Sequence, residues 1–336
     1  MISPDLAHAF RGQRVLITGG LGFIGSTLAR ELVEAGAHVL LVDSLVPEYG
    51  GSLDNIAGIE DRVQVNVSDV RDEHSMRYLV RDRDVIFNLA GQTSHLDSMT
   101  DPYTDLEINC RSQLSILEAC RHHNPDARIV FASTRQIYGR PRYLPVDEEH
   151  PIAPVDVNGI NKVAGEWYHL LYGEVYGMSV AVLRLTNTYG PRMRVRDARQ
   201  TFLGYWLRLL LTGEELVIFG DGEQRRDFNY VDDAVRAFQL AAARDDANGR
   251  IFNLGDDSPV SLRELAELLV RLNEGGSYRL EPFPGDRKAI DIGDYYADFR
   301  TIGDALGWAP TVPLEEGLRR TLAFYREHGA RYWDRA

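Results

Sequence analysis

The sequence predicts an α/β protein built on a doubly wound parallel sheet, with a smaller C-terminal α/β lobe. Six short apolar runs have the length and composition of buried strands. They lie at 15–17, 38–42, 63–67, 85–89, 129–132 and 180–184. The helical patterns between them lie near 26–33, 75–81, 102–123 and 159–176. Because strands that alternate with helices form a parallel sheet covered on both faces, this order predicts the doubly wound architecture.

The first predicted strand ends in a glycine-rich turn that leads directly into a helix. Residues 15–25 are Val-Leu-Ile-Thr-Gly-Gly-Leu-Gly-Phe-Ile-Gly. Gly19 allows the tight turn, Gly22 lets the backbone approach a pyrophosphate, and Gly25 lets the helix pack closely on the strand. The second strand ends in Asp43, which can hydrogen-bond both ribose hydroxyls of NAD and repels the extra phosphate of NADP. These features predict a Rossmann-type domain that binds NAD.

Composition and charge exclude several other classes of protein. The chain has 336 residues, of which 44% are hydrophobic and 26% charged, and its net charge is −13. This acidic balance argues against binding to nucleic acid. No apolar stretch approaches the roughly 18 residues of a membrane span, and the N-terminus lacks a signal-peptide pattern, so we expect a cytoplasmic protein. The two cysteines, Cys110 and Cys120, match no metal-binding spacing, and no metal is expected.

Beyond residue 185 the alternation loosens and turn residues become frequent. Further helices are predicted near 202–211, 231–243, 262–272 and 314–327, without repeats or a long linker. We therefore expect residues 1–185 to form the NAD-binding domain. Residues 186–336 are expected to form mainly a second ligand-binding lobe, with some segments returning to the sheet.

Nine short motifs resemble those of one family. They are TGGLGFIG at 18–25, NLAG at 88–91, AST at 132–134, IYG at 137–139, KVAGE at 162–166, RLTNTYGPR at 184–192, FGDG at 219–222, RDFNYVDD at 226–233 and LGW at 306–308. Together and in this order, they resemble the extended short-chain dehydrogenase/reductases that act on sugar nucleotides, including the UDP-glucose and UDP-glucuronate 4-epimerases.

The resemblance implies a division of labour along the chain. NAD would contact a set of residues at the N-terminal sheet, namely Gly19, Gly22, Phe23, Ile24, Gly25, Asp43, Asp69, Val70, Leu89, Ala90, Gly91 and Lys162. A nucleoside diphosphate sugar, with UDP favoured, would lie in the C-terminal lobe. Its contacts would be Thr134 to a sugar hydroxyl, Asn187 and Arg226 to the diphosphate, and Arg287 as a second arginine in a segment that aligns poorly. A homodimer through the helices near 102–123 and 159–176 is also implied.

The catalytic motif departs from the family at one position. Members usually carry a tyrosine four residues before the lysine, and its phenolate removes a proton from the substrate hydroxyl. Here the predicted catalytic set is Thr134, Asn158 and Lys162, and an amide at Asn158 cannot act as a base. Another group could serve instead, and the sequence leaves Tyr138, His95, Asp97 and Lys162 as candidates. Altered NAD chemistry and a silent binding protein also remain open.

The two residues after Thr134 reduce the number of reactions that the resemblance allows. In the 4,6-dehydratases of the family an Asp-Glu pair follows this threonine and eliminates water. Arg135 and Gln136 stand here, and neither is a general acid at neutral pH. Decarboxylases of uronic acids place a glutamate at the position of Gln136 as well. The resemblance therefore favours 4-epimerisation of a UDP-sugar through a transient 4-keto intermediate, with oxidation, reduction or decarboxylation as alternatives.

Overall fold

The architecture is described from a computed structural model, in which residues 2–46, 49–199 and 201–333 are placed. The strands are β1 (Arg14–Thr18), β2 (His38–Asp43), β3 (Val63–Val67), β4 (Val85–Asn88), β5 (Arg128–Thr134), β6 (Ser179–Leu185), β7 (Asn187–Tyr189), β8 (Leu216–Phe219), β9 (Arg225–Arg226), β10 (Phe228–Tyr230), β11 (Arg250–Asn253), β12 (Val260–Ser261) and β13 (Tyr278–Glu281). Seven of them form one parallel sheet in the order β11-β6-β5-β4-β1-β2-β3. The predicted doubly wound α/β fold is confirmed.

Helices cover both faces of this sheet. They are α1 (Pro4–Phe10), α2 (Phe23–Glu34), α3 (Glu73–Leu79), α4 (His95–Thr100), α5 (Pro102–Leu106), α6 (Ser112–His123), α7 (Val157–Tyr176), α8 (Phe202–Leu211), α9 (Val231–Ala243), α10 (Leu262–Leu272), α11 (Gly285–Ala289), α12 (Arg300–Leu306), α13 (Leu314–His328) and α14 (Ala330–Trp333). No helix in the described part of the chain is long and apolar enough to cross a membrane.

Alternating side chains of the central strand explain why both faces are covered. In β1, Val15 and Ile17 join one buried apolar cluster, whereas Leu16 joins the cluster on the opposite face. Successive residues of a strand point to opposite sides of the sheet, so each face needs its own layer of helices.

The structure corrects two details of the sequence analysis. The helix predicted near 102–123 is interrupted, because a π-helical turn at Glu107–Arg111 separates α5 from α6. The turn carries the buried Asn109, and π-helical turns frequently occur at functional sites. The analysis also predicted no strand near residue 250, where β11 extends the main sheet beside β6.

The C-terminal lobe adds small two-stranded sheets to this scaffold. Strand β7 pairs with β10, β8 with β13, and β9 with β12. Because β11 lies beyond residue 185 and still joins the main sheet, the division into 1–185 and 186–336 stays a prediction.

A buried ion pair fixes helix α7 to the sheet. Arg184 on β6 donates to both carboxylate oxygens of Glu166 on α7, with the shortest contact at 2.7 Å. Both side chains are at most 2% exposed. Ser133 on β5 also donates to Glu166. The pair and Ser133 therefore fix the middle of α7 against β5 and β6.

Replacing Arg184 by Met should lower the free energy of unfolding by about 3–5 kcal/mol, because it leaves the Glu166 carboxylate buried without its cation. The exposed pair of Arg319 and Glu315 on α13 offers a matched control. There, Arg319→Met should cost at most about 1 kcal/mol. Denaturant unfolding of the two variants measures both values. Equal small losses would show that the buried pair does not fix α7.

Candidate active site

One cavity collects the carboxyl ends of the central strands and the inner wall of the C-terminal lobe. Its volume is about 780 Å³, within the range of small-molecule sites. All of the predicted cofactor residues line it, and so do the predicted substrate and catalytic residues Thr134, Asn158, Asn187, Arg226 and Arg287. The structure thus brings the predicted site together in one place, while the role of each residue stays a prediction.

The glycine turn forms the floor of one end of this cavity. A Cβ atom on Gly19, where φ is +67°, would lie 3.0 Å from the backbone nitrogen of Ala90. A Cβ atom on Gly25 would lie only 2.3 Å from the carbonyl oxygen of Gly19. Helix α2 starts directly after Gly22. The side chains missing here leave a backbone cradle at a helix N-terminus, which fits the pyrophosphate of NAD.

Two carboxylates follow this cradle along the cavity wall. Asp43 accepts hydrogen bonds from the backbone N–H groups of Leu21 at 3.0 Å and Leu45 at 2.9 Å, and burial raises its pKa. Asp69 lies beyond β3 and is bound by the Arg71 guanidinium, which lowers the pKa of that carboxyl. The Asp43 carboxylate is thus held rigidly beside the cradle, where a ribose can use it as an acceptor.

Lys162 lies between the two ends of the cavity. Its ammonium donates to the carbonyl oxygen of Ala132 at 3.0 Å and lies 4.9 Å from the ring centre of Phe131. Burial lowers the pKa of Lys162 to about 8, against a partial opposing effect of the Asp105 and Glu166 carboxylates. The lysine therefore remains mostly charged at neutral pH and loses its proton above about pH 8.

Thr134 is fixed at the end of β5, close to Ala132. Its hydroxyl oxygen accepts a hydrogen bond from the N–H of Gln136 at 3.2 Å and so caps the following turn. That contact uses a lone pair and leaves the hydroxyl proton available to a ligand.

The Asn158 side chain is buried and bound within the protein. Its amide donates to the Gln92 carbonyl oxygen at 2.7 Å and to the Asp105 carboxylate at 3.0 Å. Asp105 also accepts from Asn109 at 3.1 Å and from Asn161 at 2.8 Å. Asn158 thus belongs to a network around one fully buried carboxylate. It supplies no base, as the sequence predicted.

Positive charge concentrates at the lobe end of the cavity. Arg226 is buried, and its pKa falls to about 10 because of burial and the nearby Arg135 guanidinium. Arg135 donates to the Asn187 carbonyl oxygen at 2.8 Å and leaves a second buried nitrogen, Nη1, without a hydrogen-bond partner among the described residues. Asp291 lies 3.7 Å from Arg226. These guanidinium groups form an anion-binding wall.

Two neighbouring features complete that wall. Asn187 donates to the backbone oxygen of Asp227 at 2.9 Å, so its amide is already oriented. Arg287 lines the cavity with its guanidinium 5.2 Å from the ring centre of Phe219. The structure therefore places the second arginine candidate at the cavity, held against an aromatic ring.

Of the four candidate bases, the structure removes two. The Tyr138 hydroxyl is buried outside the cavity, where it donates to Asn253 at 2.7 Å and accepts from Arg184 at 2.7 Å. Burial raises its pKa well above the usual range. Asp97 on α4 does not line the cavity either. His95 and Lys162 both do.

The sequence analysis missed several residues that shape the site. Asp105 lies one helical turn before Asn109, a spacing that places both on one face. Asp156 accepts from the N–H of Gly159 at 2.7 Å and caps α7, and an aspartate before a helical pattern is a typical N-cap signal. Arg135 was considered only as a missing acid. No group of three potential metal ligands occurs in the described part of the chain.

Comparisons with known proteins agree with this geometry. The family described as "NAD dependent epimerase/dehydratase family" matches residues 15–255. A putative UDP-glucose 4-epimerase of Methanocaldococcus jannaschii is 32% identical over 94% of this chain and 99% of its own length. UDP-glucuronic acid decarboxylase 1 of Xenopus tropicalis is 32% identical over 94% of this chain and 72% of its own length. The crystal structure of a Thermotoga maritima UDP-glucose 4-epimerase with UDP-glucose has a TM-score of 0.84 at 31% identity, covering 94% and 99% of the two chains.

The charge of Lys162 predicts a pH-dependent difference in stability. With a folded pKa of about 8 and an ordinary value of 10.5, the unfolded chain binds the proton more tightly. The resulting penalty is absent above pH 10.5, grows as the pH falls, and is complete below about 8. As the pH falls from 10.5 to about 8, the free energy of unfolding of the natural protein should therefore drop by a few kcal/mol relative to that of Lys162→Met.

Denaturant unfolding of both proteins at the two ends of the window measures this difference, and Lys162→Gln serves as a second neutral variant. A constant difference between the natural protein and both variants would contradict the lowered pKa.

Proposed function

Because the chain belongs to the NAD-dependent epimerase/dehydratase family, which also establishes NAD as its cofactor, we propose that it is a 4-epimerase of a UDP-sugar. One observation carries this proposal. A single cavity joins the glycine cradle and Asp43 to Lys162, Asn187 and Arg226, so a dinucleotide and a nucleoside diphosphate sugar fit in sequence along it. Because 4-epimerisation oxidises and then reduces the same carbon, no redox product has to leave such a site.

In the proposed reaction, each residue of the site has a separate role. Oxidation of a sugar alcohol breaks the O–H and C–H bonds of one carbon, and bound NAD⁺ supplies the acceptor for the hydride. Thr134 positions the reacting hydroxyl through its free hydroxyl proton. The Lys162 ammonium stabilises negative charge that develops on the oxygen. Arg226 and Asn187 hold the diphosphate, with Arg135 as a further donor to an anionic group.

The contacts after Thr134 argue against dehydration. Arg135 donates to Asn187, and Gln136 donates to the Asp156 carboxylate at 2.7 Å. Neither side chain can give a proton to a leaving hydroxyl at neutral pH. The two positions after Thr134 thus lack the acid and base that would expel water from a keto intermediate.

Asn158 supports a second candidate function, a protein that binds NAD and a sugar nucleotide without turnover. Its amide is fixed by Asp105 and Gln92 and replaces the only base that the family usually has.

Proton NMR of the purified protein with UDP-, dTDP-, GDP- and CDP-sugars tests the proposal. We expect one UDP-sugar to be converted to its C4 epimer without added reductant. Lys162→Ala should lower the rate by about 100-fold or more, because it removes the cation that stabilises the charge developing on the oxygen. Binding of the UDP-sugars without new sugar signals would favour the silent binding protein instead.

We also propose that the chain forms a homodimer through the helices at 102–123 and 159–176, which are α5, α6 and α7. Helix α7 exposes four apolar side chains, spaced so that they share one face: Ile160, Trp167, Leu171 and Val175. Helices α4 and α5, which adjoin α7, expose Met99, Tyr103 and Leu106. An apolar surface of this extent on neighbouring helices is typical of a protein interface.

The cytoplasmic location of the protein stays a prediction.

A charged residue introduced on this apolar surface should prevent the two subunits from associating. Trp167 is 60% exposed in the single chain. Trp167→Glu should yield a monomer, because a carboxylate would be buried at the interface. Leu53→Glu, at an exposed apolar residue outside α4, α5 and α7, is the matched control and should keep the dimer. Light scattering after size-exclusion chromatography reports the mass. A natural protein that is monomeric at high concentration would contradict the proposal.

A further inference from the structure

A proton acceptor is missing from the usual position in this cavity. Oxidation of a hydroxyl needs a basic lone pair, and the Asn158 amide has none. The carboxylate nearest to Asn158, Asp105, is fully buried, accepts from three asparagine amides and does not line the cavity. Any base must therefore be another group that lines the cavity.

His95 lines the cavity and has a carboxylate beside its ring. It is the first residue of α4, directly after the N-cap Ser94, and its side chain is 30% exposed in the cavity that also holds Thr134 and Lys162. Its ring nitrogen Nδ1 lies 3.1 Å from Oδ2 of Asp156. The distance suits a hydrogen bond, although the N–H is not well aligned. Catalytic hydrogen bonds are often poorly aligned without ligand and tighten in the substrate complex.

Asp156 is held so that it can orient the imidazole. Its carboxylate is fully buried. One oxygen accepts from the Gly159 N–H at the start of α7, and the other accepts from Gln136 at 2.7 Å and faces His95. Burial alone would raise the pKa of Asp156, but the contacts with His95, Gly159 and Gln136 outweigh it and hold the pKa below its ordinary value. The group therefore remains a carboxylate at neutral pH.

A carboxylate at Nδ1 selects the tautomer with the proton on that nitrogen. The basic lone pair is then on Nε2, at the opposite side of the ring. An imidazole that a buried carboxylate orients in this way is a common general base in enzymes. The pairing links α4 to the N-cap of α7, the helix that carries Asn158 and Lys162.

We propose that Nε2 of His95 takes the proton from the sugar hydroxyl in this chain, in place of the missing phenolate, and that Asp156 is a positioning residue for the ring. The proposal rests on the proposed function, since it concerns the same oxidation. The O–H proton moves to Nε2, the C–H electron pair leaves as hydride to bound NAD⁺, and a carbonyl forms. In the return step the hydride comes back to the carbonyl carbon, and the imidazolium gives its proton to the carbonyl oxygen.

The other cavity base fits less well. The Lys162 ammonium donates to the Ala132 carbonyl oxygen and faces the Phe131 ring, so its nitrogen is already used as a donor. Proton transfer to lysine would also require that it lose its charge first, and the developing oxyanion would then lose its cation. His95 and Lys162 instead have complementary roles.

Four variants test the assignment. His95→Asn places an amide nitrogen near the position of Nδ1 and removes Nε2. His95→Ala removes the whole ring, and Asp156→Asn keeps a good helix cap but no negative charge. His74→Asn is the matched control at an exposed histidine on α3. For each protein, kcat, KM, the affinities for NAD and UDP by calorimetry, and the thermal midpoint are measured.

We expect His95→Asn and His95→Ala to lose about 100-fold or more in kcat. Their KM and both affinities should stay within about threefold, and added imidazole should restore part of the activity of His95→Ala. Asp156→Asn should lose kcat without rescue by imidazole, because the intact ring is then misoriented. His74→Asn should match the natural protein. A His95→Asn variant that keeps kcat within threefold while folded and able to bind NAD would overturn the proposal.

Measuring the oxidation half-reaction distinguishes a failure of this proposal from a failure of the proposed function. Formation of NADH absorbance on addition of UDP-sugar reports oxidation whether or not an epimer is released. If the natural protein reduces bound NAD⁺ without epimerising, the 4-epimerase function fails, and the His95 variants still test the base by their rate of NADH formation. If no UDP-sugar produces either NADH or an epimer, both proposals are overturned.

Discussion

The buried carboxylate of Asp105 is the constraint on which the reaction end of the site depends. It accepts amide hydrogen bonds from Asn109, Asn158 and Asn161, and it offsets part of the cost of burying the Lys162 charge. A buried carboxylate is tolerated only when such donors surround it. The π-helical turn presents Asn109, and α7 presents the other two amides. Asn158 is thereby held in place by a hydrogen bond to Asp105.

Charge is distributed along the cavity in a way that suits two anionic ligands. The glycine cradle offers backbone N–H groups and a helix N-terminus, whereas the lobe end offers the guanidinium groups of Arg135 and Arg226. Lys162 adds a buried cation to the same cavity, which Thr134 also lines. An overall acidic chain therefore concentrates its buried positive charge where phosphates and a developing oxyanion need it. The Arg184–Glu166 pair keeps this arrangement aligned by fixing α7 to β6.

Much of the cofactor end of the site could be predicted from short sequence patterns. Gly19, Gly22 and Gly25 lie in one turn, and Asp43 ends the adjacent strand, so pattern and spacing suffice to place them. Contacts between distant segments were not predictable. Asp105 and Asn158 are 53 residues apart, and neither has a local pattern that points to the other. The pairing of His95 with Asp156 depends in the same way on how α4 meets the start of α7. Strand β11 was missed because it is short and its partner, β6, is distant in sequence.

In the proposed reaction, this cavity oxidises C4 of a sugar nucleotide although an asparagine replaces the usual phenol. The most direct measurement follows a UDP-sugar that carries deuterium on C4 through one turnover, with mass spectrometry and NMR of the recovered sugars. We predict that the deuterium is retained at C4 in both epimers, because the hydride leaves to and returns from a cofactor that stays bound. Recovery of the sugar unchanged, or of an epimer that has exchanged its C4 deuterium with solvent, would contradict the account.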